Sequence, residues 1–245
     1  MSDSRIIRSV SDLTIKKKTT TDITSNLKFK RQKIKNKKLK ASSKDWISRH
    51  INDPFVIASK KQGYISRAVY KLIDIDDKFK ILKNAKNILD LGSAPGSWLQ
   101  IIDERLKSEY KTLLGVDILD TQFEHKKITK IKGDFNDEKI KSQISDICKS
   151  FDLILSDISP NKTGMREHDN INMSNMLNEI IDFSLLNLVK GGNLVMKAFH
   201  GAIENDMLLK IKKSFKNVKH FKPITSRSES SEIYLVCQGF ICNEY

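Results

Sequence analysis

Cysteine is nearly absent from this chain of 245 residues: Cys148, Cys237 and Cys242 are an odd number without metal-ligand or redox spacing. The five histidines, at positions 50, 125, 168, 200 and 220, form no ligand pair. A disulfide scaffold and a zinc site are therefore poor readings, and no bound metal is expected. Nor does any apolar run approach the roughly 18 residues that a membrane-spanning helix requires, and the N-terminus lacks the apolar stretch of a secretory signal. These absences point to a soluble protein of the cytoplasm that has no membrane partner.

What is abundant is positive charge, and it is unevenly placed. The chain holds 44 Lys+Arg against 30 Asp+Glu, and residues 1 to 44 alone carry 14 of those bases with only three acids, Asp3, Asp12 and Asp22. About residues 1–42 are rich in Lys, Ser, Thr and Asn and show no sustained helical or strand period. They bury too little apolar surface to offset the entropy of ordering, which predicts a disordered basic tail ahead of a domain over 43–245. The tail reads equally as a solvated charge run or as an arm that contacts phosphates, densest in cations from Lys28 to Lys40. A mitochondrial presequence is a further reading, which the three aspartates fit poorly.

From Ser43 the pattern changes. Ser43 is placed to cap a short helix that Pro54 ends, and Ser66 to cap a second one containing Val69, Leu72 and Ile73. Apolar runs at 87–92, 112–118, 128–134, 151–157, 193–199 and 232–240 then read as strands. Segments 97–106, 137–148, 174–189 and 204–215 have helical spacing, the third stopping at Gly191-Gly192. Strands alternating with helices imply an α/β fold, a mainly parallel sheet with helices on both faces. In such sheets the ligand lies beyond the carboxyl ends of the strands.

Those ends hold the candidate site. The first strand runs into Asp90-Leu91-Gly92-Ser93-Ala94-Pro95-Gly96-Ser97-Trp98 and a helix. Gly92 and Gly96 permit a tight turn, but Ala94 and Ser97 stand where a dinucleotide fingerprint has its other glycines. A nucleoside with a carboxylate tail, such as S-adenosylmethionine, suits this turn better than a pyrophosphate. Asp117, 25 residues beyond Gly92, can accept from both hydroxyls of a ribose, or simply start a loop. Asp134 can accept from an adenine amino group, or cap the next helix. Lys197, following an apolar strand, needs a carboxylate nearby, and Asp157 is the natural partner; the pair is either functional or a structural ion pair.

Six stretches together, SRAVYKL at 66–72, DLGSAPGSW at 90–98, GDF at 133–135, SDISPN at 156–161, VMKAF at 195–199 and SRSESSEIYLV at 226–236, resemble the FtsJ/RlmE family of ribose 2′-O-methyltransferases. The likeness spans about residues 42–240 in unbroken order. It implies a Rossmann-like class I fold with a seven-stranded sheet, S-adenosyl-L-methionine as cofactor and a monomer acting on large-subunit ribosomal RNA, at a uridine of 23S rRNA, in the bacterial cytoplasm. The family's catalytic set carries over as Lys71, Asp157, Lys197 and Glu232, and its cofactor contacts as Gly96, Trp98, Asp117, Asp134 and Asp157. Ser97 departs from the usual glycine. Methyl transfer needs the hydroxyl deprotonated, a task for Lys197 with Lys71 as the neighbouring cation, while Asp157 and Glu232 orient. Two other readings are a tRNA or cap ribose methyltransferase and a non-catalytic RNA-binding assembly factor; the presence of all four residues disfavours the last.

Overall fold

The computed structural model describes residues 41–161, 163–227 and 230–241. The expected tail therefore lies, but for its last two residues, outside the described residues, as does Cys242. The chain divides into two compact units, the first ending at Pro54 and the second running from Phe55 to Tyr245. Of the first unit the structure describes helix α1, Ala41–Ile51, with Asn52 and Asp53 beyond it. Ser43 lies inside α1 and not at its start, so it does not cap that helix.

The elements that follow are α2 (Pro54–Lys61), which belongs to the second unit from Phe55 on, α3 (Val69–Phe79), β1 (Asn87–Leu91), α4 (Ser97–Leu106), β2 (Thr112–Asp117), β3 (Ile128–Lys132), α5 (Glu138–Ile147), β4 (Phe151–Ser156), α6 (Arg166–Asn187), β5 (Leu188–Phe199), α7 (Asn205–Ser214), β6 (Phe215–Phe221) and β7 (Glu232–Phe240). The seven strands form one sheet in the order β3-β2-β1-β4-β5-β7-β6. All pairings from β3 across to β5 are parallel, whereas β7 runs antiparallel to both β5 and β6. This is the expected doubly wound α/β sheet, with the order reversing between β1 and β4. Chain crossovers diverge there and leave a crevice at the carboxyl ends of those strands.

Alternation along each strand sends neighbouring side chains to opposite faces. Leu89 and Leu91 of β1 and Ile154 of β4 join Ile144 of α5, Leu177 and Ile181 of α6 and Ile211 of α7 in one apolar cluster. The opposite face is covered by α2, α3 and α4, where Phe55 lies 5.5 Å from Tyr70 and Trp98 6.0 Å from Tyr234, ring centre to ring centre. β1, β2 and β4 are buried on both faces, which is why their sequences are almost continuously apolar.

Three boundaries differ from the sequence reading. Helix α6 starts at Arg166, eight residues before Ser174, because its first two turns are polar and mostly exposed and carry no apolar stripe; Glu167 and Asp169 favour the positive end of the helix there. It also ends at Asn187, since Leu188 already pairs with Phe151 and the glycine pair falls within an irregular start of β5. Strand β6 carries no strand signal in the sequence: its apolar residues Phe215, Val218 and Phe221 recur every third position, a helical spacing, and it is an exposed edge. Ser66 does not cap α3 either: the residue ahead of its first turn is Ala68, with no side-chain cap bond, and Ser66 Oγ accepts from the Ala68 N–H, which precedes the helix, at 3.1 Å.

Candidate active site

The turn after β1 is fixed by backbone bonds and by lack of room. Gly92 N–H donates to the Val116 carbonyl at 2.8 Å and Gly96 N–H to Ser93 at 2.6 Å. Both glycines have positive φ, +77° and +108°, and a Cβ would meet Ile158 at 2.8 Å in the first case and Phe123 at 2.6 Å in the second. No other residue type fits these two positions. Ser97, by contrast, is accommodated: its hydroxyl is buried and shares a 2.7 Å hydrogen bond with Ser66.

Beside this turn lies a cleft of about 370 Å³, lined by Ala94, Asp117, Leu119, Phe135, Asp157 and Ile158 among others. Asp117 Oδ2 accepts from the Ala94 N–H at 2.9 Å and Oδ1 from Leu119 N–H at 2.8 Å, so the carboxylate is held rigidly with lone pairs still available to the cleft. Its loop-starting role and a ligand role are thus compatible. Asp134 bonds the Asn136 N–H at 2.9 Å, while the cap of α5 is Asp137, which accepts from Lys139 N–H at 2.9 Å. Capping of α5 therefore gives no account of Asp134. Trp98 stands behind this wall, buried, with its indole N–H donating to the Ala68 carbonyl at 3.0 Å. Of the expected cofactor contacts, Asp117, Asp134 and Asp157 line the cleft, whereas Gly96 shapes the turn and Trp98 supports it.

Sequence reasoning passed over Ile118 and Leu119, which line the cleft yet are 62% and 65% exposed. Their signal was two large apolar residues directly after an acidic strand end. It also passed over Asp90, whose carboxylate is fully buried with neither oxygen hydrogen-bonded. Burial, reinforced by the charges of Asp157 and Asp117, pushes its pKa well above the ordinary range and so favours its neutral form.

At the far side of the cleft four charged side chains make a continuous chain. Asp157 follows β4, its N–H prolonging the ladder to Leu91 at 3.1 Å. Lys197 Nζ lies 3.1 Å from Asp157 Oδ1 and also donates to the Asp157 carbonyl. Lys71, from the first turn of α3, lies 3.8 Å from the same Oδ1 and 2.9 Å from Glu232 Oε1. The reversed direction of β7 makes this possible: its first residue, Glu232, pairs with Phe199 at the carboxyl end of β5, and Tyr234 pairs with Lys197. Glu232, Tyr234 and Lys197 consequently project to one face. Tyr234, absent from the sequence reading although it lies two residues along the same strand, donates to Asp157 Oδ1 at 2.6 Å. Burial alone would raise the Asp157 pKa; the charges of Lys197 and Lys71 and the Tyr234 hydrogen bond outweigh it and hold the carboxylate below its usual range.

The FtsJ-like methyltransferase family matches residues 64–240 of this chain. A curated relative from Acidiphilium cryptum, ribosomal RNA large subunit methyltransferase E, is 39% identical over 205 residues, covering 83% of this chain and 89% of its own. The enzyme of the same name from Gluconobacter oxydans is 40% identical over 197 residues, covering 80% and 72%. A crystal structure of a chain described as a ribosomal RNA methyltransferase from Plasmodium falciparum superposes with a TM-score of 0.64 at 32% identity, over 72% of this chain and 98% of that one.

Proposed function

Because the chain belongs to the FtsJ-like methyltransferase family, we propose that it methylates a ribose 2′-hydroxyl of large-subunit ribosomal RNA, with Lys197 as the base. The observation that carries this reading is the unbroken contact chain Lys197–Asp157–Lys71–Glu232 at the end of the cofactor cleft. The names of the curated relatives supply the RNA class.

The cleft suits S-adenosyl-L-methionine, which the family uses. Among the described residues its lining includes three carboxylates, Asp117, Asp134 and Asp157, and no base. Such a lining repels phosphates and favours a ligand bearing an ammonium and a sulfonium. Its volume of about 370 Å³ is that of a small-ligand site. Asp117 would take the ribose hydroxyls, Asp134 the adenine amino group, and Ile118 and Leu119 the apolar faces. When bound, the cofactor supplies a methyl group activated by its positive sulfur.

The residues around Lys197 determine where its lone pair points. A neutral amine has two N–H groups and one lone pair. Asp157 offers two acceptors, its carbonyl and Oδ1, and these occupy both N–H groups. The lone pair is left in the third direction, free to receive a hydroxyl proton. Asp157 does not bind Lys197 as an undivided carboxylate would, since Oδ1 also faces Lys71 and Tyr234. Glu232, bonded to Ser226 at 2.9 Å, in turn fixes Lys71. Nucleotide-resolution mapping of 2′-O-methyl groups, after incubation with ribosomal subunits, free rRNA and tRNA, tests the reading. A single new mark in large-subunit rRNA, expected at a uridine, supports it; marks confined to tRNA would move the substrate elsewhere.

A further inference from the structure

Between the first turn of α5 and the middle of α6 lies a second basin, of about 570 Å³, lined by Asn136, Glu138, Lys141, Asn175, Met176 and Glu179 among others. Two of these residues, Asn136 and Met176, also line the cofactor cleft, so the cavities are neighbours with a shared wall. That wall is low. Asp134, the proposed acceptor of the adenine amino group, is exposed, as is Asn136, and Met176 is only half-buried. The floor beneath is firm, since Phe135 is buried and packs edge-on against Phe183 with ring centres 5.2 Å apart. Lys141 holds the far side, its Nζ 2.8 Å from Glu138 of its own helix and 3.4 Å from Glu179 of α6. Asn172, Asn175 and Asn178, every third residue of α6, turn a face of uncharged hydrogen-bonding groups toward the basin.

An amino group on an adenine ring has two N–H bonds, and Asp134 needs only one of them. Its Oδ1 accepts from the Asn136 N–H at 2.9 Å, so one carboxylate oxygen remains for the ligand. A substituent in place of the second N–H would meet this shared, exposed rim and no buried wall. We infer that the cleft accepts a sulfonium cofactor extended at the adenine amino nitrogen by a short uncharged chain, which the asparagine face of the basin receives. The inference rests on the proposed methyl transfer and on the proposed place of adenine at Asp134, and it adds a class of methyl donor. The chemistry balances as before: the methyl carbon leaves sulfur for the ribose oxygen, the hydroxyl proton passes to Lys197, and the donor departs as the extended thioether. Glu138 and Glu179 outnumber Lys141, which disfavours an anionic chain.

The test uses the full chain and analogues of S-adenosyl-L-methionine whose adenine amino nitrogen carries either one 2-carbamoylethyl chain or two methyl groups. Calorimetry with the matching thioethers, beside S-adenosyl-L-homocysteine, gives Kd, and methyl transfer to large-subunit rRNA gives rates. The carbamoylethyl thioether should bind within about threefold of the unmodified one, because its remaining N–H still reaches Asp134 and its chain displaces only water. The dimethyl thioether has no N–H left and should bind about tenfold more weakly or worse. Asn175→Trp crowds the basin from an exposed helix position; it should leave the unmodified Kd within about twofold and weaken the carbamoylethyl thioether about tenfold. Its unfolding temperature shows whether it is folded, and Asn172→Trp repeats the test from the neighbouring turn. Failure of wild-type protein to bind the carbamoylethyl thioether at a hundredfold excess over the unmodified Kd would overturn the inference. So would a folded Asn175→Trp protein that binds both thioethers as the wild type does, or a dimethyl thioether bound as tightly as the unmodified one, which would detach the amino group from Asp134. If the unmodified thioether binds but neither donor yields methylated RNA, the proposed function fails, while the binding arm still decides whether the edge is open.

Discussion

On one side of Asp157 the described lining is Asp117, Asp134 and uncharged side chains without a base; on the other the charged lining is Arg67, Lys71 and Arg227, with Glu232 as the one acid. Among the described residues of a chain with a net charge of +14, cations are thus absent from the lining of one cavity and gathered at the next. The contrast makes one cavity negative and the next positive, with Lys197 and Lys71 at the boundary between them. Both lysines face acids there, Lys197 against Asp157 and Lys71 against Asp157 and Glu232.

The most severe break should come at the boundary. Lys197→Ala should lower the rate of methyl transfer by about 10²–10⁴-fold, the range for losing a positioned base. It should leave cofactor and RNA affinities within about twofold, because neither cavity depends on it; calorimetric binding beside single-turnover rates checks both. A matching loss of cofactor affinity would instead make Lys197 part of the acidic side.

Asp117→Ala should act on the acidic side alone. Losing a charged acceptor for two hydroxyls should weaken cofactor binding by about 1–3 kcal/mol, with activity partly returning at saturating cofactor and KM for RNA unmoved. An unchanged cofactor Kd would remove Asp117 from the ribose role.

Tyr234→Phe sharpens the boundary further, since it deletes one of three groups that share Asp157 Oδ1. The loss of one hydrogen bond to a charged group is worth about 1.5–3 kcal/mol. Part of it should appear as a fall in kcat and part as a lower unfolding temperature, with both substrate affinities retained. Asp157 then leans more on Lys197. Because Tyr234 normally helps hold the Asp157 pKa down, the stability that this carboxylate contributes, present above its unfolded pKa and lost as pH falls through the folded one, should disappear at a higher pH in the variant.

Asp90 gives the smallest and most specific effect. Its folded pKa lies above its unfolded one, so between the two the folded state holds the proton more tightly and stability falls as pH rises. Ligand-free Asp90→Asn should lack that decline above about pH 4, where an unfolded aspartate ionises. Denaturant titrations at a series of pH values compare the two; parallel curves would mean that the buried carboxyl is not protonated in the folded state.

Much of this arrangement could be read from local residues. The strands at 87–92, 112–118 and 151–157 announced themselves because both of their faces are covered and every position must be apolar. The glycines at 92 and 96 were legible because a turn leading into a helix has few alternatives at positive φ. The sequence by itself also determined the identities of Lys71, Asp157, Lys197 and Glu232, which lie in separate segments 161 residues apart at the extremes. It could not determine β6, whose exposed edge position leaves an apolar spacing that mimics a helix. Only the tertiary structure decided that β7 runs against β5, which brings Glu232 and Tyr234 to the same sheet edge as Lys197. It alone sorted acids and bases into two cavities, because electrostatic partnership depends on distances through space, and residues such as Arg67 and Arg227 become neighbours only when strand pairing closes the intervening chain.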